Sequence, residues 1–293
     1  PGRVQADQVT LMSTGEDRFR GLPLRGDIGQ AMVDQGLTFL RYGGTMINIS
    51  GYRFKKMIGD RDKRPPYHGH WYRWSTNGFG IEDFLQFCEK AGFTAAFAVN
   101  IEETPQDMAD MIEYLNGPVT SEWGRRRAEN GHPEPYGVKY IGIGNEDLIT
   151  DVFEERFTMI YLAIKEKYPE IIVVGTVGPF NEGTDYVEGW KLADKLGVPM
   201  VDEHYYQSPG WFLHNQDFYD KYDRSKKTKV YLGEYATHIP GRRANMETAL
   251  TEALYLAALE RNGDVVHMSS YAPLLAKDGR TQWNPDLIYF NNR

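Results

Sequence analysis

What the 293-residue chain lacks narrows its function first. It has one cysteine, Cys88, so no internal disulfide framework is possible. Cys88 lies in the helical pattern Phe84–Gly92 and reads as buried packing rather than a nucleophile. No run of about 18 apolar residues occurs, so no helix of the chain is expected to span a membrane. Positive charge is in deficit: 33 Lys and Arg stand against 41 Asp and Glu, a net charge of −8. That balance speaks against a nucleic-acid or anionic-membrane partner. The one basic cluster, Arg125-Arg126-Arg127, reads as helix-surface and ion-pair residues in so acidic a chain. No Gly-rich phosphate turn follows a strand pattern, and no Walker sequence exists, so no nucleotide cofactor is implied. There is no HExxH and no cysteine cluster. His68 and His70 are near neighbours, and Asp202-Glu203-His204 is a tempting triplet, but adjacent strand residues face opposite ways. No catalytic metal is expected. A Ser-His-Asp hydrolase is weaker still without a GxSxG elbow. The N-terminus, Pro1-Gly2-Arg3-Val4, has no apolar signal-peptide core.

What is present is β-α alternation. Helical spacing marks 24–35, 81–91, 105–116, 153–168, 186–196 and 244–261, several with a Gly stop or a Thr-Pro start. Apolar, β-prone runs centre near residues 39, 96, 142, 174, 202, 232 and 267. Parallel sheet units have this order. Seven strands are counted, where a closed (β/α)₈ TIM-type barrel needs eight. A doubly wound open sheet is the alternative. Residues 1–20 read as a leader or the tail of a preceding β-rich segment, with a strand expected at Val9–Met12, and residues 21–293 as the barrel domain. Residues 43–80 form a long loop rich in Arg, Pro, His and Trp. The excursion 117–135 reads as polar, without an assigned element.

Two strand patterns end in a carboxylate. KYIGIGNED (139–147) delivers Glu146 and KVYLGEYA (229–236) delivers Glu234. A barrel gathers its strand tips around one mouth, and two intervening βα units bring these two to opposite sides of it. Paired carboxylates at one cleft are what glycosidic bond hydrolysis requires. Other tips add polar groups: Arg41 to hold a carboxylate ionised, Asn100 and Asn145 as amides for sugar hydroxyls, and His204 with Tyr206 on one strand face. Trp71, Trp74 and Trp211, with Trp283, are candidates for stacking against carbohydrate.

RYGG, NGFGIEDFLQFCE, HPEPYGVKYIGIGNE and GEYA, with the intervening YRFKKMIGDRDKRPPYHGHW loop, resemble glycoside hydrolase family 51 over residues 22–290. That family holds retaining α-L-arabinofuranosidases and some endo-β-glucanases on (β/α)₈ barrels. The resemblance implies Glu146 as general acid/base and Glu234 as nucleophile. It implies Asn145 as the sugar-contacting amide, Arg41 behind the nucleophile, and His204 and Tyr206 as the sixth-strand pair. It implies a polysaccharide or oligosaccharide substrate, no cofactor, and a secreted or periplasmic setting. Thr45 stands where members carry Asn or Cys after Gly-Gly, near the furanose pocket, so arabinofuranosidase and endo-β-1,4-glucanase or xylanase both remain open. A non-catalytic carbohydrate-binding barrel, or an inactive truncation, is the competing class. The family's first barrel strand, last helix and C-terminal β-sandwich have no counterpart in the sequence, so the barrel is expected to be incomplete.

Overall fold

The computed structural model describes residues 14–292. The expected strand at Val9–Met12 lies outside these residues. In chain order, α1 (Gly26–Asp34) leads into β1 (Phe39–Tyr42), and α2 (Ile81–Ala91) into β2 (Thr94–Val99). Two helices follow, α3 (Pro105–Asn116) and α4 (Glu122–Glu129), before β3 (Tyr140–Ile143). Then come α5 (Asp151–Lys167), β4 (Ile172–Thr176), α6 (Thr184–Leu196), β5 (Met200–Gln207) and the short α7 (Pro209–His214). β6 (Lys229–Thr237), α8 (Met246–Arg261) and β7 (Val266–Tyr271) complete the alternation. Within the described residues, each expected strand and helix forms. Capping chemistry sets the boundaries: Thr104 accepts from the Asp107 amide at the start of α3, and Gly92 closes α2 in the left-handed region.

All seven strands lie in one parallel sheet, in sequence order. Among the described residues no strand joins β1 to β7. This is the (β/α)₈ design lacking one strand, with an open seam between Phe39–Tyr42 and Val266–Tyr271. The sheet's outer face carries the main core, for example Ile141, Ile143, Val173, Val201, Tyr205 and Leu232 against the helices. Its inner face carries a small plug of Val174, Met200 and Tyr231, with Phe39, Tyr140, Ile172 and Met268. Period-2 alternation sorts the two. A separate parallel ribbon, β8 (Leu275–Lys277) with β9 (Ile288–Phe290), follows β7.

One sequence expectation changes, and two further regions gain definition. The excursion 117–135 holds α4, and Arg127 is fully buried rather than a surface ion-pair residue. Its guanidinium donates to the carbonyls of His132, Tyr114 and Pro133, so a planar five-donor fork stitches the α4 exit to α3. Ahead of α1, the Phe19 ring sits over Gly29, where a Cβ would approach within 2.4 Å, and meets Phe87 at 5.0 Å. Finally, the long loop is ordered. It turns through short 3₁₀ segments, buries Ile47, Tyr52, Phe54 and Met57, and is pinned by Arg64 to Asp83 and to the Gly59 and Asn77 carbonyls.

Candidate active site

The Gly144-Asn145-Glu146 turn at the tip of β3 is strained, and its surroundings hold it so. Glu146 has φ 52°, a left-handed conformation that a non-glycine residue adopts only when over-determined. Its amide donates to Thr176 Oγ1 of β4 (3.1 Å), the Asn145 amide donates to Asp147 Oδ2 (2.7 Å), and Asn48 Nδ2 donates to the Asn145 carbonyl (2.9 Å). Burial raises the Asp147 carboxyl to about 6 despite the backbone amides that favour its charge.

Glu234 rises from β6 on the other side of the mouth. Gly233 before it lies against Asp202; a Cβ there would come 1.8 Å from Asp202 Oδ1. Arg41, at the tip of β1, spans the floor. Its Nη1 donates to Glu234 Oε1 (2.8 Å), and its Nη2 donates to Asn145 Oδ1 (2.6 Å) and stands 3.6 Å from Asp202 Oδ2. Tyr206 Oη donates to the other oxygen, Glu234 Oε2 (2.7 Å). Burial alone would favour a neutral Glu234. The charges of His204 and Arg41, with these hydrogen bonds, outweigh it and hold the carboxyl at about 2. Glu234 is therefore a largely buried, ionised, oriented carboxylate.

His204 sits between the two sides and is almost wholly buried. Its Nδ1 is 3.0 Å from Glu146 Oε1, and its Nε2 is 3.1 Å from Asp202 Oδ2, an ion-pair approach off the line of a good hydrogen bond. Burial opposes the imidazolium, but Asp202 and Glu234, together with the bond to Glu146, raise its pKa to about 10. With both ring nitrogens protonated, Nδ1–H donates to Glu146. One oxygen of Glu146 and one of Glu234 lie within 4.8 Å of each other, and His204 Nδ1 shares that space. Three ligating groups at this spacing have the dimensions of a metal site. Glu234, however, is already engaged by Arg41 and Tyr206, and His204 Nδ1 by Glu146, so this set is committed to hydrogen bonds.

The other sequence candidates divide. Thr45 and Trp71 line the cleft, which has a volume of about 1890 Å³ and runs from the mouth along the open seam. Trp283 lines it too, with edge-on contacts to Trp71 (5.8 Å) and Tyr206 (5.3 Å). Asn145 keeps a buried amide nitrogen without a protein partner, a donor left over for a ligand. Asn100 does not serve as proposed: it is buried, and its amide donates to the Ile47 and Ile49 carbonyls while accepting from the Glu102 amide. Its polar capacity is spent on folding the loop after β1. Trp211 also falls away. It packs on α7 against Tyr205, Phe218 and Tyr255, on the outer face of the sheet. Trp74 is exposed, meets His68, and is not part of the cleft lining.

Sequence reasoning passed over Asp202 as a site residue. The signal was available: period-2 alternation along β5 puts Asp202, His204 and Tyr206 on one face. Asp202 is the shared ion-pair partner of Arg41 and His204. Glu203, on the opposite face, is held among the hydroxyls of Tyr186, Tyr219 and Tyr222 and the Trp190 indole, with burial raising its pKa.

These ionisations predict a pH optimum for stability. Glu234 is depressed from an ordinary 4.5 to about 2, so its contribution is complete above 4.5 and is lost as pH falls toward 2. His204 is raised from 6.5 to about 10, so its contribution is complete below 6.5 and is lost as pH climbs toward 10. The melting temperature should therefore peak between 4.5 and 6.5, and His204→Asn should flatten the alkaline decline. A wild-type melting temperature that rises steadily from pH 6.5 to 9 would contradict this.

Comparison with known proteins identifies the family. The family model of the α-L-arabinofuranosidase 1 domain matches residues 31–224, and that of the α-L-arabinofuranosidase C-terminal domain matches residues 218–293. The extracellular exo-α-L-arabinofuranosidase of Streptomyces chartreusis is 36% identical over 320 residues, covering 98% of this chain and 38% of the relative. α-L-Arabinofuranosidase 1 of Arabidopsis thaliana is 31% identical, covering 99% and 44%. The chain thus spans about two fifths of the length of these curated relatives. Among solved structures, the arabinose-bound α-L-arabinofuranosidase MgGH51 superposes with a TM-score of 0.77 at 28% identity, over 91% of this chain and 46% of the other. A family 51 α-L-arabinofuranosidase from Bifidobacterium longum shares the fold, with a TM-score of 0.75 at 20% identity over 86% and 61%. Strand order, paired carboxylates and matched residues converge on one conclusion: the chain belongs to glycoside hydrolase family 51, the α-L-arabinofuranosidase family.

Proposed function

We propose that this protein is a retaining exo-α-L-arabinofuranosidase that releases arabinose from plant cell-wall polysaccharides. The observation that carries the reading is the approach of a Glu146 oxygen to within 4.8 Å of a Glu234 oxygen. A retaining pair works with its carboxyl groups about 5–5.5 Å apart, whereas an inverting pair needs about 6.5–9.5 Å to admit a water. The residue environments support distinct roles. Glu234, ionised and held by Arg41 and Tyr206, attacks the anomeric carbon as the glycosidic C–O bond breaks. Glu146 gives its proton to the departing oxygen, leaving an arabinosyl ester on Glu234. Water, deprotonated by Glu146, then displaces Glu234, so the product keeps the original anomeric configuration. The free Asn145 amide is a donor for a sugar hydroxyl during both steps. The matched relatives are named as arabinofuranosidases, which favours this activity over the endo-glucanase alternative.

The test is proton NMR of the first product formed from an aryl α-L-arabinofuranoside, alongside viscosity of carboxymethylcellulose. We expect α-arabinose as the initial product and unchanged viscosity. Initial β-arabinose would sink the retaining mechanism. Rapid viscosity loss without arabinose release would replace the exo reading with the endo one.

A further inference from the structure

We propose that Phe180 is a platform on which a neutral pyranose ring of the leaving group stacks, making the acid/base side of the cleft a polysaccharide subsite. The inference rests on the glycosidase reading above for its orientation. Phe180 follows β4, the strand next to the one that carries Glu146, and lines the same cleft. It is 63% exposed, an unusual state for a phenyl ring in a concave site.

The ring is presented, not merely uncovered. Thr176 Oγ1 accepts from the Glu146 amide (3.1 Å) and from the Gly178 amide (3.4 Å), so one hydroxyl ties the acid/base turn to the turn bearing Phe180. Gly178 has φ +90°, and a Cβ there would lie 2.7 Å from Asp185 Cβ, so the turn is fixed against α6. Pro179 restricts the backbone directly before the ring. On the other side Asn181 is buried and accepts from Gln207 Nε2 (3.3 Å) at the end of β5. An exposed apolar ring therefore stands between two anchored neighbours, on a frame shared with the residue that protonates the leaving oxygen.

The chemistry of the ring selects the ligand. Phe offers no hydrogen-bond donor, acceptor or charge, so it discriminates by shape and apolar area alone. The C–H face of a xylose or glucose ring meets it well; a charged or extended apolar ligand gains less from one ring beside a carboxylate. Because Glu146 faces the departing oxygen, the stacked ring belongs to the leaving group and not to the arabinose. Such a contact contributes about 1.4 kcal/mol, a tenfold change in affinity.

The experiment compares Phe180→Ala with the wild type in two readouts. The first is the kcat/KM ratio between an arabinosylated xylo-oligosaccharide and methyl α-L-arabinofuranoside, whose leaving group has no ring. We expect this ratio to fall about tenfold, chiefly through KM, and to recover in Phe180→Trp. The second is xylohexaose affinity measured by calorimetry, which needs no turnover; it should weaken about tenfold in Phe180→Ala and recover in Phe180→Trp. An unchanged ratio, an equal loss on both substrates, or unchanged xylohexaose affinity would overturn the proposal. If the wild type cleaves neither substrate, the glycosidase reading fails, and the calorimetric result alone decides whether Phe180 is a sugar platform.

Discussion

Glu234→Gln should lower turnover of an aryl α-L-arabinofuranoside by about 10⁴-fold or more, the scale of losing a catalytic nucleophile. The substitution keeps the side-chain volume, and Arg41 retains Asp202 at 3.6 Å, so the barrel should fold and bind arabinose. What it removes is the one carboxylate that the site holds at about 2, ready to attack at any working pH. Stereochemistry separates the nucleophile from the acid. With Glu234→Ala, added azide has room to attack from the vacated side and should yield an arabinosyl azide of inverted configuration. With Glu146→Ala, azide should intercept the glycosyl ester and yield the retained configuration. Near-wild-type turnover in Glu234→Gln, or the reverse pattern of azide products, would exchange or abolish the assigned roles.

Arg41→Met should be the most damaging change outside the two glutamates. Arg41 is largely buried, and among the described residues it alone links Glu234, Asn145 and Asp202. Removing one partner of a buried charge network costs about 3–5 kcal/mol, because the abandoned carboxylates stay buried and unpaired. We expect a loss of that order in denaturant titration and a fall in kcat of about 10³-fold, since the nucleophile loses an orienting donor. Arg41→Lys should rescue little: a single ammonium cannot reproduce a fork whose Nη1 and Nη2 serve different partners. The pH profile gives an independent reading. Glu234 must be ionised to attack, and losing Arg41 raises its pKa, so the acidic limb of kcat/KM should move to higher pH. A variant within about 1 kcal/mol of wild-type stability, with an unmoved acidic limb, would mean that Arg41 only lines the floor.

Much of this was legible in the sequence because barrel strands obey a local rule. Each is a short β-prone run closed by a turn, so their seven centres and the carboxylates at two tips could be read without a neighbour in view. Helix ends followed from caps such as Thr104 and Gly92. Local rules failed where a residue's partners are remote. Arg127 looked like surface charge because nothing nearby announces three carbonyls waiting for it. Asn100 and Trp211 sit at or just beyond strand ends, as site residues do, yet one braces a loop and the other fills an outer aromatic cluster. Asp202 was overlooked because its value lies in touching Arg41 and His204 together.

Periodicity and turn chemistry along the chain were enough to set the alternation, the seven barrel strands and which tips carry Glu146, Glu234, Arg41 and Tyr206. Only the tertiary structure decided the close approach of the two carboxylates, the ionised state of Glu234, the charge on His204 and the open seam beside β1. Those depend on distances across a barrel between residues as many as 193 positions apart, and on burial that amplifies each charge upon its neighbours.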